Sequence, residues 1–252
     1  MLKVVDFYYF SPTGGTKKAG AALAFAMAET VNAVDLSGKC ACDPRADVVV
    51  VAAPVFGGRI PAFVGDKLAK LKGEGKKAVT AVVYGVRAFE DALLELNDVM
   101  ESSGFEVIAS AALVAQHSIV PEVGAGRPDA ADIAQIQQFA KRVLAAIRDG
   151  KPGAISVPGN RPYKESKKGS ATPLSLPTCN GCGRCVTVCP TEAIALTTEG
   201  VTTDLNACMM CMACVASCPT KARILPPPLQ EALTQKLSSF KDVPRENELY
   251  LS

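Results

Sequence analysis

Tryptophan is absent from the 252 residues, histidine occurs once, and aromatic residues make up only 6%. Around the one histidine, His117, no Ser-His-Asp order or paired-carboxylate motif stands out, so hydrolysis of the triad type has no visible carrier. An excess of one charge is also lacking. With 27 basic and 25 acidic residues and a formal net charge of +2, the chain has neither the basic surplus of a nucleic-acid binder nor the composition of a disordered protein. Its first apolar run, Val4 to Phe10, is too short to span a bilayer, and Ser11-Pro12-Thr13-Gly14-Gly15 follows where a signal peptide would continue. The expectation is a cytoplasmic protein with no nucleic-acid partner and no membrane span.

What the chain does have is cysteine, ten in all. Without an export signal, a disulfide framework is not expected, because the cytosol keeps thiols reduced. The cysteines therefore point to metal ligation or redox chemistry.

Residues 1–150 alternate short β-branched runs with amphipathic stretches, the pattern of a parallel sheet wrapped by helices. The predicted strands are Val4–Phe10, Ala33–Leu36, Asp47–Ala53, Lys77–Tyr84 and Phe105–Val114. Phe89, Leu93, Leu96 and Met100 recur at helical spacing, as do Ile133, Ile136, Val143 and Ile147. The fold class is thus α/β, a doubly wound five-stranded domain. Residues 151–174 read as a linker: Gly150, Pro152 and Gly153 close the last helix, and this polar segment carries Lys151, Arg161, Lys164, Lys167 and Lys168 against Glu165 alone. After the cysteine-rich stretch, Pro226-Pro227-Pro228 introduces a tail, 229–252, with a short amphipathic segment through Leu229, Leu233 and Leu237 that is expected to pack on a domain.

Between them, residues 175–228 contain an internal repeat. Cys179, Cys182, Cys185, Cys189 and Pro190 recur 29 positions later as Cys208, Cys211, Cys214, Cys218 and Pro219. Each half reads C-x2-C-x2-C-x3-C-P, the spacing with which three thiolates of one loop hold a [4Fe-4S] cluster while the fourth reaches the other cluster. A pair of zinc sites is the competing reading, but it needs no third CxxC step and no following CP. Cys40 and Cys42 fit neither half and read as incidental thiols.

Directly after the first predicted strand, Ser11, Thr13, Gly14, Gly15 and Thr16 form a hydroxyl- and glycine-rich turn that opens a helix. Such a turn aims backbone N–H groups and the positive helix end at an anion. The glycine spacing of a dinucleotide fingerprint fails here, and the GK[ST] of a P-loop is absent. In a 2-1-3-4-5 sheet, the segments Pro54-Val55-Phe56-Gly57-Gly58-Arg59 and Tyr84-Gly85-Val86-Arg87-Ala88-Phe89 would border the same crevice.

The cysteine repeat matches bacterial two-cluster ferredoxins over about 50 residues, and the S-x-T-G-x-T turn is similar to the phosphate loop of flavodoxins. Together they make the chain resemble flavodoxin–ferredoxin fusion proteins of anaerobic bacteria and archaea, the EFR-type ferredoxins. That resemblance implies a flavodoxin-like sheet of order 2-1-3-4-5 joined to a small α+β bacterial-ferredoxin domain. It also implies FMN in the crevice and two [4Fe-4S] clusters, one held by Cys179, Cys182, Cys185 and Cys218 and the other by Cys208, Cys211, Cys214 and Cys189. Phe56, with Phe89 or Tyr84, would stack on the flavin in place of the missing tryptophan. Gly57 or Gly58 would permit the peptide rearrangement that accompanies its one-electron reduction. Arg59 and Arg87 would face reduced flavin, and His117 would stand at the same sheet edge. The implied function is low-potential electron transfer with redox partner proteins. A flavin enzyme reducing a small acceptor and a ferredoxin on an empty flavodoxin scaffold are the alternatives. The cluster domain is expected to dock near the flavin edge, with the linker as a strap.

Overall fold

A computed structural model describes residues 1–38, 42–150, 155–166 and 169–251; Cys40 lies outside them. The N-terminal part runs β1 (Leu2–Tyr9), α1 (Gly15–Met27), β2 (Ala28–Asp35), β3 (Val48–Pro54), α2 (Ala62–Leu68), β4 (Lys77–Tyr84), α3 (Ala92–Ser102), β5 (Glu106–Val114) and α4 (Ala130–Arg148). The cysteine-rich part adds β6 (Leu174–Ser175), α5 (Arg184–Thr187), β7 (Ile194–Thr197), β8 (Gly200–Thr203), α6 (Ala213–Ala216) and β9 (Arg223–Ile224). The tail contributes α7 (Pro227–Leu237) and β10 (Glu248–Leu251).

β1 to β5 form the expected parallel order, 2-1-3-4-5. The reason is legible in β3: Val48-Val49-Val50-Val51-Ala52-Ala53-Pro54 is buried at every position, as a central strand covered on both faces must be. α1 and α4 cover one face through Leu23, Met27, Ile136, Phe139 and Val143, and the other face buries Leu68, Leu93, Leu96 and Met100 of α2 and α3. α1 approaches the sheet so closely at Gly20 that a Cβ there would lie 2.7 Å from both the Phe7 ring and Ala52.

Three expectations are corrected. The sheet has six strands, because β10 pairs antiparallel with β5, setting Glu248 against Ala112 and Leu251 against Ala109. β2 begins at Ala28, five residues before the expected start, because α1 runs into it without a loop and its edge position leaves half its side chains exposed. Phe89 precedes α3 rather than belonging to it.

The strap and the tail are tied to the sheet by named contacts. Asp91, at the start of α3, accepts from Asn160 N (2.8 Å), Asn160 Nδ2 (3.1 Å) and Lys164 N (2.7 Å). Arg161 and Tyr163 donate to Asp98, and Arg59 stacks over the Tyr163 ring at 4.6 Å. In the tail, Asn247 bridges β5 and α4: its Oδ1 accepts from Val114 N at 2.9 Å, and its Nδ2 donates to Asp132 and Gln135. No helix is long and apolar enough to cross a membrane among the described residues.

Candidate functional site

The two cysteine loops repeat in backbone as they do in sequence. Gly181 and Gly183 have φ of 68° and 72°, and the equivalent Met210 and Met212 have φ of 54° and 67°. Glu192 and Lys221, also one repeat apart, share the same left-handed conformation. Met in this region costs roughly 1–2 kcal/mol of backbone energy, so the second loop adopts the shape against its residue preference. Glycine holds the two left-handed positions between the cysteines in the first loop, whereas in the second they carry methionine.

In the first group, Cys179, Cys182 and Cys185 line one small, partly open void with Cys218, which arrives from the other half of the repeat. In the second, the Cys211 thiol feels Cys214, Cys208 and the crossing Cys189. Burial pushes Cys211 up to about 12, against a hydrogen bond from the Ala213 N–H. Burial also raises Cys185 and Cys214, and the Arg223 guanidinium pulls both back down. For Cys218 burial works in the same upward direction, but the Thr220 hydroxyl and the N–H groups of residues 220, 222 and 223 outweigh it and leave the thiol lowered. The crossing cysteines are treated alike, each with a threonine hydroxyl 3.7 Å from its sulfur, Thr191 for Cys189 and Thr220 for Cys218. Among the described residues, no three His, Cys, Asp or Glu side chains meet where one ion could hold them.

At the phosphate-type turn, Gly14 (φ 95°) caps α1 without a side chain, and Ser11 Oγ accepts from Lys17 N at 2.9 Å. The N–H groups of Gly15 and Thr16, in the first turn, have no intrahelical acceptor. Thr16 is buried. Ser11 and Pro12 form one wall of a cleft of about 290 Å³, and Cys189, Pro190, Ala213 and Ser217 of the cysteine-rich part form the other. Cys211 and Ala213 are buried in one continuous apolar cluster with the α2–α3 face of the sheet. The Ser217 hydroxyl, buried at the cleft, has no hydrogen-bond partner among the described residues.

The loops after β3 and β4 meet on the same sheet edge without lining that cleft. Val55 N donates to Val83 O, and Asp91 N to Gly58 O. Phe56 and Arg59 exchange backbone hydrogen bonds across Gly57 and Gly58, whose φ values of 63° and 94° fit a two-residue hairpin turn. A Cβ at Gly58 would collide with Glu90. Val86, β-branched, sits at φ 62°, an outlier conformation. Tyr84 and Phe89 are buried edge to face, 5.4 Å apart, and so pack on each other, while Phe56 is half-buried. Both arginines already have carboxylates: Arg59 forms a two-pronged pair with Glu95 at 2.7 Å, and Arg87 pairs with Glu90 at 2.6 Å. His117 packs on Gly85, and its Nδ1 accepts from Ile119 N and Val120 N at 3.2 and 3.1 Å. Burial, with Arg87 nearby, lowers its pKa and keeps the ring neutral.

Sequence reasoning singled out neither Ser217 nor Arg223. Ser217 falls where the first half has Val188, and Arg223 where it has Ile194. These breaks in the repeat were the available signal.

Residues 174–220 match the 4Fe-4S dicluster domain family. Among solved structures, the flavodoxin of Streptococcus pneumoniae TIGR4 is 22% identical over 57% of this chain and 99% of that chain, with a TM-score of 0.43. A short-chain flavodoxin associated with a non-canonical PDU bacterial microcompartment is 18% identical over 58% of this chain and 99% of that one, with a TM-score of 0.46. The rubredoxin oxygen:oxidoreductase of Desulfovibrio gigas is 21% identical over 58% of this chain but 36% of that chain, with a TM-score of 0.43. No curated protein matches.

Proposed function

For a chain that joins a flavodoxin-like sheet to a 4Fe-4S dicluster segment, we propose electron transfer between FMN at the Ser11–Thr16 turn and two [4Fe-4S] clusters. The observation that carries this reading is that Cys218, from the second half of the repeat, lines one void with Cys179, Cys182 and Cys185; by the same crossing, Cys189 would complete the set of Cys208, Cys211 and Cys214. The spacing C-x2-C-x2-C-x3-C-P in each half suits a cluster, whereas a zinc site needs no third CxxC step and no following CP. When bound, each cluster supplies one-electron chemistry and the flavin can exchange electrons singly or in pairs.

The chain's own residues do the rest. The raised thiol of Cys211 means that iron must displace its proton, so loading couples to proton release and to folding of this small segment. Ser11, Thr13 and the free N–H groups of Gly15 and Thr16 suit one terminal phosphate, and they lack the glycine spacing that a pyrophosphate would require. The cleft wall made by Cys189 and Pro190 supports a second cluster group next to the phosphate turn. Its volume falls near the lower bound of about 300 Å³ for small-molecule sites. Phe56 is the aromatic best exposed to meet the flavin ring, given that Tyr84 and Phe89 are turned into the core.

Anaerobic purification with quantitation of iron, acid-labile sulfide, zinc and flavin tests the assignment. The reading expects roughly eight irons and one FMN per chain. Zinc in place of iron, or a chain that takes up no flavin, would contradict it.

A further inference from the structure

The most deeply buried large side chain outside the sheet core is a cation. Arg223 is 2% exposed at the start of β9, opposite Ser175 of β6. Its Nη1 donates to Ser175 Oγ at 3.1 Å and its Nη2 to Thr203 Oγ1 at 2.8 Å, both neutral partners. Its Nε is buried and has no hydrogen-bond partner among the described residues, and the Cys214 thiol lies within hydrogen-bond reach of the side chain. No carboxylate pairs with it among the described residues. A guanidinium cannot shed its proton, and burying it without a counter-charge carries a severe desolvation penalty.

The fold does not require this charge. Arg223 stands one repeat after Ile194, which fills the corresponding place in the first half and is itself buried. An apolar side chain therefore suits the position, and the chain departs from its own repeat there. What surrounds Arg223 supplies the reason. It lines the void shared by Cys179, Cys182, Cys185 and Cys218. Its side chain also lies within hydrogen-bond reach of Cys214 of the second group, so that it stands between the two sets of thiols.

We infer that Arg223 is the buried counter-charge of the cluster pair and holds their reduction potentials up. The inference rests on the iron–sulfur reading above. Four thiolates leave a [4Fe-4S] cluster net negative, and one more electron makes it more so, so a fixed cation nearby favours the reduced form. Net charge and hydrogen bonds to sulfur are the recognised levers on such potentials. The buried Nε–H would find its acceptor in a cluster sulfur or a cluster-ligating thiolate. With water largely excluded, the charge acts at low effective dielectric and is poorly screened.

The test is an anaerobic redox titration of the full, iron-loaded chain, followed by electron paramagnetic resonance, on wild type and on Arg223→Ile, Arg223→Gln and Arg223→Lys. Arg223→Ile restores the symmetry of the repeat. Iron content is measured on each sample. The expected result is that the ratio of reduced to oxidised cluster at a fixed solution potential falls at least tenfold in Arg223→Gln for one cluster or both, a shift of about 59 mV for a one-electron couple. Arg223→Lys should keep most of the wild-type value, which a purely structural role would not predict. If Arg223→Ile fails to assemble, the Gln and Lys variants decide. Iron-replete Gln and Lys variants that both titrate as wild type would overturn the role of Arg223 and leave the iron–sulfur reading standing. A wild-type chain that binds no iron would overturn both.

Discussion

Replacing Asp91 with alanine should release the strap formed by residues 155–166. Asp91 is only 2% exposed, and its carboxylate accepts three hydrogen bonds from the strap, from Asn160 N, Asn160 Nδ2 and Lys164 N. A hydrogen bond to a charged group contributes about 1.5–3 kcal/mol. The three share one carboxylate and are lost together, and the freed N–H groups regain water when the strap lifts, so the net loss is nearer two bonds than three, roughly 3–5 kcal/mol. Asp98 with Arg161 and Tyr163, and Glu90 with Lys164, still hold the segment, which limits the effect to local opening. A loss of about 3 kcal/mol corresponds to more than a hundredfold rise in the opening equilibrium. Hydrogen exchange reads this directly: the amides of Asn160 and Lys164 should exchange about a hundredfold faster in Asp91→Ala, with Asp91→Asn in between. Acid should mimic the mutation. Burial raises the Asp91 pKa, but the hydrogen bonds from Lys164 and Asn160 outweigh it and leave the value below its usual 3.8. A carboxylate whose folded pKa is depressed stabilises fully above the unfolded value and progressively less as pH falls through the folded one. The strap should therefore loosen below about pH 4. Unchanged exchange of residues 155–166 in Asp91→Ala would refute this account of how the strap is held.

Cys189→Ala should disturb the second cluster and Cys218→Ala the first, which paramagnetic resonance of each variant distinguishes; damage confined to the cluster of the residue's own loop would reverse the crossing assignment. Thr13→Ala should weaken FMN by roughly 1.5–3 kcal/mol through loss of a hydrogen bond to phosphate, and equal affinity for riboflavin and FMN in the parent chain would reject the phosphate role of the turn. Asn247→Ala leaves the amide of Val114 without its acceptor and should cost about 1–3 kcal/mol in denaturant unfolding of the sheet domain. A midpoint unchanged from wild type would mean that β10 is not anchored there.

Much of the fold was legible because burial on two faces writes itself into composition. The valine run of β3 could hardly be anything but a central parallel strand, and β4 has the expected bounds, Lys77 to Tyr84. The cysteine spacing anticipated that Cys218 would line one void with Cys179, Cys182 and Cys185, across the repeat. Less was visible where a contact depends on a distant partner. β10 is four residues in a polar tail, and nothing in Glu248-Leu249-Tyr250-Leu251 says that the edge of β5 lies within reach. β2 hid its first half because an edge strand exposes side chains that blur the alternation. Tyr84 and Phe89 read as flavin-facing aromatics from their positions after β4, yet side-chain packing turned them toward each other. Arg59 read as a cation for the reduced flavin, while the Glu95 that engages it lies 36 residues away on α3.

The central claim is that flavin and clusters exchange electrons within one molecule, across the cleft between Ser11-Pro12 and Cys189-Pro190. Rapid reduction of the clusters in the loaded chain, with stopped-flow detection of flavin reduction over a range of protein concentrations, measures it. The account predicts a first-order rate independent of concentration. A rate rising in proportion to protein concentration would contradict it, because the electron would then be passing between molecules.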